Sequence, residues 1–140
     1  MANIQYKVLV ENEAQILQNV APDVFDNPVN MEWTEEFLAD SRHHISVAID
    51  GDLVVGMATA VDYVHPDKPR ELWINEVGVS PNWQQCGIGK KLMQTLFEYG
   101  RSIGCKEAWV LTDQDNAPAR KLYQSVNGEE ELSVYVTFKL

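Results

Sequence analysis

Val77-Gly78-Val79-Ser80-Pro81-Asn82-Trp83-Gln84-Gln85-Cys86-Gly87-Ile88-Gly89-Lys90-Lys91-Leu92 joins a strand end, a proline turn and a pair of glycines that open a helix. An extended run from Glu71 to Val79 stops at Ser80-Pro81-Asn82, where proline removes a ladder donor and the polar residues favour a turn. Beyond the two glycines, Leu92, Met93, Leu96 and Ile103 recur at helical spacing, and Gly104 is placed to end the helix. A strand, a short loop and a glycine-opened helix turn backbone N–H groups and the positive end of the helix toward one ligand. A pyrophosphate suits such a cradle. Two common nucleotide loops do not match: the dinucleotide fingerprint needs glycine where Leu92 stands, and the phosphate loop needs glycine at Gln84 and Ser or Thr at Lys91.

Working outward, Ile4, Tyr6, Val8 and Val10 alternate as a strand. Residues 11–41 read as helix broken by Pro22 and Pro28. Ile45–Ile49 and Leu53–Val61 are apolar runs joined by Asp50-Gly51-Asp52, a hairpin signal. Ala108–Leu111 is a short buried-strand pattern, and Asn116 with Pro118 opens a last helix carrying Leu122, Tyr123 and Val126. Leu132, Val134, Val136 and Phe138 alternate as a final strand. The order predicts a mixed α/β sheet with helices packed on it, in one domain over residues 1–140.

The chain has 140 residues, 45% hydrophobic and 23% charged, which suits one globular domain and excludes a disordered or fibrous protein. Its net charge of −10 repels phosphate backbones and anionic lipid, so neither nucleic acid nor a membrane is an expected partner. The charge is concentrated: residues 1–40 carry eight acids (Glu11, Glu13, Asp23, Asp26, Glu32, Glu35, Glu36 and Asp40) against Lys7 alone. They form either a solvated face or an acidic wall beside a cationic substrate. Cys86 and Cys105 are too few for a disulfide scaffold and have no zinc-like spacing. His43, His44 and His65 read as surface or loop residues, and no metal site is expected. Without a basic start and apolar run at Met1-Ala2-Asn3-Ile4-Gln5, the expected compartment is the cytoplasm.

Val79-Ser80-Pro81, then Gln84-x-x-Gly87-x-Gly89, then Asn116-Ala117 followed by Leu122-Tyr123, occur in this order at strand-to-helix junctions. In these motifs the chain resembles the GNAT superfamily of N-acetyltransferases. From about Ile45 onward the likeness is specific, and the Glu71–Val79 strand is most similar to the aminoglycoside 3-N-acetyltransferase branch. The usual Gly-Phe after the Leu-Tyr helix is here Gly128-Glu129. The resemblance implies a sheet splayed at a bulge, with helices on both faces and acetyl-CoA, a cosubstrate, in the opening. It implies that Val77, Gly78 and Val79 meet the pantetheine arm and that Gln84, Gln85, Cys86, Gly87, Ile88, Gly89 and Lys90 wrap the pyrophosphate. Asn116 would hold the pantetheine or cap its helix. Cys86 occupies a variable position of the loop and has no paired base nearby in sequence, so it is not read as a nucleophile.

Acetyl transfer needs an amine freed of its proton and an acid for the departing thiolate. By resemblance Tyr123 is that acid. Glu76, on the central strand and facing away from Val77 and Val79, is the candidate base or ammonium binder, ahead of Glu71, Asp113 and Asp115. The expected acceptor is a small cationic amine, an aminoglycoside for instance, with a role in antibiotic resistance. The alternatives are a protein N-terminus or lysine as acceptor, or an acyl-CoA-binding module without catalysis; the reading also allows a homodimer.

Overall fold

The computed structural model describes residues 3–140, so the reading at Met1-Ala2 lies outside the described residues. Five strands form one sheet in the order β1 (Ile4–Val8), β2 (His43–Asp50), β3 (Leu53–Tyr63), β4 (Glu71–Val79) and β5 (Glu107–Val110). The first four are antiparallel neighbours, and β5 joins β4 in parallel. The Asp50–Leu53 turn closes through Gly51, whose φ of 68° needs no side chain to avoid. Between β1 and β2 lie a 3-10 helix (Glu11–Gln18) and α1 (Met31–Ala39), with Pro22 and Pro28 in the irregular segment between them. Asn30 caps α1 by accepting a hydrogen bond from the Trp33 N–H at 3.0 Å.

Helix α2 (Ile88–Ser102) is the crossover from β4 to β5. It buries Ile88, Leu92, Met93, Leu96 and Gly100, one stripe at helical spacing, toward a sheet in which Val54, Val55, Leu72 and Ile74 are themselves fully buried. Two glycines let it approach: a Cβ at Gly56 would stand 3.1 Å from both Ile88 and Leu92, and one at Gly100 would stand 3.0 Å from Leu72. Cys105 N–H reaching Gly100 O at 2.9 Å, with Gly104 at φ 94°, ends the helix where the sequence placed its stop. The other face takes the 3-10 helix and α1, so helices lie on both faces. Helix α3 (Ala117–Ser125) rests on the start of α2, where Gly89 faces Leu122.

Two expectations fail. Residues 127–140 form no strand, and Leu132, Val134, Val136 and Phe138 are exposed, Val134 at 88%. Alternation announces a strand with one apolar face; it supplies no neighbour, and the segment finds none among the described residues of its own chain. His44 is also not a surface residue. It sits 4% exposed on β2, with Nε2 at 2.5 Å from Asp62, while Arg70 donates to Asp62 at 2.6 Å and the Tyr99 ring lies 4.7 Å away. These partners come from 18, 26 and 55 positions along the chain, a distance that local patterning does not cross.

Candidate active site

β4 pairs with β3 on one side along its whole length, but with β5 only from Glu71 to Ile74. Register jumps at Asn75: Ile74 stands opposite Ala60 and Glu76 opposite Thr59, so one extra residue sits in β4. Beyond this bulge β4 and β5 part. Ser80 N–H donates to Val55 O at 2.9 Å, across toward β3. By strand alternation Gly78 also turns its polar groups to β3, leaving those of Val77 and Val79 on the edge that β5 has vacated. The Gln84 side-chain amide already donates to Val79 O at 2.9 Å. Gln84 therefore ties the loop to the strand end, and Val77 keeps both its backbone groups toward the opening.

The loop that follows is held from three sides. Ser80 Oγ donates to Pro22 O at 2.7 Å, Trp83 Nε1 to Asp50 at 3.2 Å, and Trp83 N–H to Ser80 O at 2.9 Å. Gln85 (φ 60°) and Gly87 (φ 78°) take left-handed backbone, which sharpens the entry into α2. Lys91 N–H bonds Gly87 O, closing the first helical turn and leaving the N–H groups of Ile88, Gly89 and Lys90 without helical acceptors. No atom lies within 4 Å of where a Cβ on Gly87 would stand, so that side of the loop is open. Cys86 is exposed, its thiol reaching only Gln84 O at 3.4 Å. From Gln84 to Lys90 the loop thus presents free N–H groups, a helix start and open space.

Gly78 differs from the other glycines of the motif. Its Cβ would fall 2.1 Å from Val24 O, on the face opposite α2. The place of its missing side chain is taken by the segment before α1. Glu76 lies on the same side by alternation, and desolvation raises its carboxyl above the ordinary range, with the charge of Asp26 adding to the rise. Asp26 and Asp23 line an open cleft of about 570 Å³ with Phe25, Val29 and Met31. Glu32, Glu35 and Glu36, expected in the acidic wall, do not line it. Sequence reasoning counted the acids but did not single out Asp26; its place in a loop bracketed by Pro22 and Pro28 was the available signal.

Tyr123 on α3 is half-buried, and burial raises its phenol above the usual tyrosine value, so it stays protonated through neutral pH. Asn116 Oδ1 accepts from Ala119 N–H at 3.2 Å, the cap reading of that residue, and its amide nitrogen remains for another partner. After α3, Gly128 N–H returns to Tyr123 O at 2.9 Å, and a Cβ on Gly128 would also stand 2.9 Å from that oxygen. Glu71 is occupied elsewhere, taking the Tyr63 hydroxyl at 3.2 Å and lying 3.1 Å from His65. Asp113 and Asp115 belong to the exposed loop before α3, where their carbonyls close turns onto Asn116 and Ala117. Among the described residues no group of three or more His, Cys, Asp or Glu side chains could hold a metal ion, and no helix is long and apolar enough to cross a membrane.

A family model described as "Acetyltransferase (GNAT) family" matches residues 13–128. Streptothricin acetyltransferase of Streptomyces lavendulae is 36% identical over 86 residues, 61% of this chain, which spans 43% of that relative's length. The N-alpha-acetyltransferase RimI of Mycobacterium tuberculosis is 35% identical over 116 residues, 83% of this chain and 67% of its own. In three dimensions an aminoglycoside acetyltransferase from an uncultured soil metagenomic sample, solved with sisomicin, superposes with a TM-score of 0.86 at 22% identity, covering 98% of this chain and 96% of that one.

Proposed function

Because this chain belongs to the acetyltransferase (GNAT) family, we propose that it moves an acetyl group from acetyl-CoA to a primary amine of a small, multiply charged acceptor such as an aminoglycoside. The observation that carries this reading is the parting of β4 and β5 after Ile74, with Val77 backbone groups on the vacated edge, the glycine cradle at one end and the half-buried Tyr123 phenol. Acetyl-CoA supplies the activated thioester. Val77 and Val79 N–H would hold the pantetheine arm, with Asn116 at its side, and the loop from Gln85 to Lys90 would take the pyrophosphate. The amine nitrogen forms its bond to the thioester carbonyl carbon while the carbon–sulfur bond breaks. Glu76 accepts the first proton lost from the ammonium, directly or through one water; Tyr123 protonates the departing sulfur, and the second proton, shed by the nitrogen as the amide forms, restores the Tyr123 phenol.

Support for a cationic acceptor comes from Asp23 and Asp26 in the cleft, the charge of Asp26 acting on Glu76. A free amine of pKa about 10 is mostly protonated at neutral pH, and carboxylates would gather its remaining ammonium groups. The extent of likeness to the RimI protein favours a second reading, a protein N-terminus as acceptor. Incubating the protein with acetyl-CoA and a panel of monoamines, polyamines, aminoglycosides and N-terminal peptides separates the two. Preference for multiply charged amines, weakened by salt, supports the first reading. Equal turnover of neutral-tailed peptides unaffected by salt removes it. No acetylation of any amine would leave only an acyl-CoA-binding module. The position acetylated on the product identifies the acceptor nitrogen.

Two further results are expected. Gly87→Leu should abolish the rise in melting temperature that acetyl-CoA gives, because the side chain fills the open face of the loop. The left-handed φ of 78° adds only about 1–2 kcal/mol of strain, so the variant should remain folded. An undiminished rise would move the coenzyme elsewhere.

The acid limb of kcat/KM should lie above the ordinary carboxylate range, since Glu76 works only when ionised and its folded value is raised. Asp26→Asn removes the repelling charge and should move the limb to lower pH, whereas Glu76→Gln should remove the limb and lower the rate. The same sign applies to stability. A raised carboxyl favours the fold while neutral and loses that contribution as pH rises, so Asp26→Asn should be neutral or mildly stabilising at pH 7. A limb that stays in place in Asp26→Asn would separate the two carboxylates.

A further inference from the structure

The bulge at Asn75 also changes which side chains of β4 share a face. In a regular strand, residues three apart point to opposite faces. The extra residue brings Trp73, opposite Val61, onto the same face as Glu76, opposite Thr59. That face looks away from α2, since the neighbouring Leu72 packs toward Gly100 on the other. At about 3.3 Å per residue, the two side chains leave the strand no more than roughly 10 Å apart.

Trp109 stands opposite Trp73 on β5, and the two indoles stack with centroids 5.3 Å apart and planes 10° from parallel. The pair is pinned. Trp109 Nε1 donates to the Tyr63 hydroxyl at 2.9 Å, and that hydroxyl donates to Glu71 at 3.2 Å. Burial raises the Tyr63 phenol, with the charges of Glu71 and Glu107 adding to the rise, so the hydroxyl keeps its proton. Yet Trp73 remains 39% exposed. Glu107 is opposite Glu71 in the ladder; Glu71 has His65 at 3.1 Å, whereas Glu107 is exposed and makes no ion pair among the described residues. Along one face, therefore, an indole pair lies between a free carboxylate and Glu76.

A rigid aromatic pair flanked by carboxylates suits a ring with an apolar face and ammonium groups at its rim, as an amino sugar has. Its C–H groups pack on indole, and its charges are drawn to the ring faces and the carboxylates. A linear polyamine of equal charge must freeze its torsions to lie there and keeps less of the gain. We propose that Trp73, backed by Trp109, seats a ring of the acceptor, so that cyclic polyamines are selected over linear ones, with ammonium groups at Glu76 and Glu107. The fate of the nitrogen at Glu76 rests on the acetyl-transfer reading; the seat itself is tested by binding.

Calorimetric titration of the whole chain, with CoA present, compares kanamycin with spermine, a linear polyamine of equal amine count. Kanamycin should bind more tightly. Trp73→Ala should raise its dissociation constant about tenfold or more and that of spermine less than about twofold. Trp73→Leu keeps apolar bulk and should lose the preference as well, with far-UV circular dichroism retained, so the loss does not depend on unfolding. Trp73→Phe returns an aromatic face and should recover most of it. Glu107→Gln should weaken both ligands alike, and indifference of both would remove Glu107 from the seat. Equal losses for the two ligands in Trp73→Ala and Trp73→Leu, or none, overturn the proposal, as does a wild-type chain that binds spermine as tightly as kanamycin. Discrimination in binding with no amine acetylated would keep the seat and remove acetyl transfer. Acetylation of both amines with a KM ratio unmoved by Trp73→Ala would do the reverse.

Discussion

Tyr123→Phe is expected to lower kcat about a hundredfold, with the affinity for acetyl-CoA little changed. The ring is retained, and it is the ring that packs against the buried core, so the fold should hold. What disappears is one O–H. The phenol is raised by burial, which makes it a reluctant acid in water. With the coenzyme sulfur beside it, as proposed, the same desolvation would raise the basicity of the emerging thiolate, and proton transfer would become favourable as the carbon–sulfur bond lengthens. A hundredfold loss corresponds to about 2.7 kcal/mol of transition-state stabilisation, ordinary for one positioned acid. The comparison must be made where chemistry limits turnover, by single-turnover kinetics, and a variant with unchanged single-turnover rate would assign Tyr123 to packing alone.

Gly78→Ala should cost more than any other small substitution in the strand, about 3 kcal/mol or above. The added carbon would stand 2.1 Å from Val24 O, and that oxygen belongs to backbone held on several sides. Val24 is 2% exposed, Ala21 N–H bonds Val54 O at 2.9 Å, and Ser80 Oγ bonds Pro22 O at 2.7 Å. Relief requires moving the whole segment off the sheet, and that segment forms the cleft containing Asp23 and Asp26. At this chain length such a loss lowers the melting temperature by roughly 10 °C. A higher KM for cationic acceptors should accompany it, because the displaced wall carries their carboxylates. Gly87→Ala is the control: it meets no atom and should cost only the strain of its φ, about 1–2 kcal/mol. Equal stability of the two variants would mean that residues 22–24 yield more readily than their bonds imply.

The pair of glycines separates what a sequence shows from what it does not. Gly87 and Gly89 are legible because a loop entering a helix is local, and so are the Asp50-Gly51-Asp52 hairpin, the α2 stripe and the Asn116 cap. Gly78 was assigned to the coenzyme along with its neighbours, yet its lack of a side chain serves Val24, fifty-four positions earlier. The same long reach hid the burial of His44 beneath Asp62 and Tyr99. The bulge was expected by family likeness, and no residue near Asn75 announces it. Acid counting found the charge of residues 11–40 but could not choose among its members: Asp26 lines the cleft from the exposed Pro22–Pro28 loop, whereas Glu32, Glu35 and Glu36 fall on a helix that buries Thr34 and Leu38 instead.

The early parting of β4 and β5 also divides the molecule by rigidity. Strands β2 to β4 and helix α2 supply most of the buried side chains, while β5 and α3 contain none. The two are joined by four ladder positions, by the Trp73–Trp109 stack with Trp109 Nε1 donating to the Tyr63 hydroxyl at 2.9 Å, and by Leu122 against Gly89. Amide exchange should therefore proceed in two tiers, the β5–α3 arm opening at a fraction of the free energy needed to unfold the rest. Tyr123 rides on that arm and Glu76 on the rigid body. The separation between the proposed acid and the proposed base is thus a soft coordinate, and an acyl donor wedged between the strands would stiffen it. Slower exchange of α3 amides on donor binding would be the visible sign, and the compliance itself gives one scaffold room for acceptors of different girth.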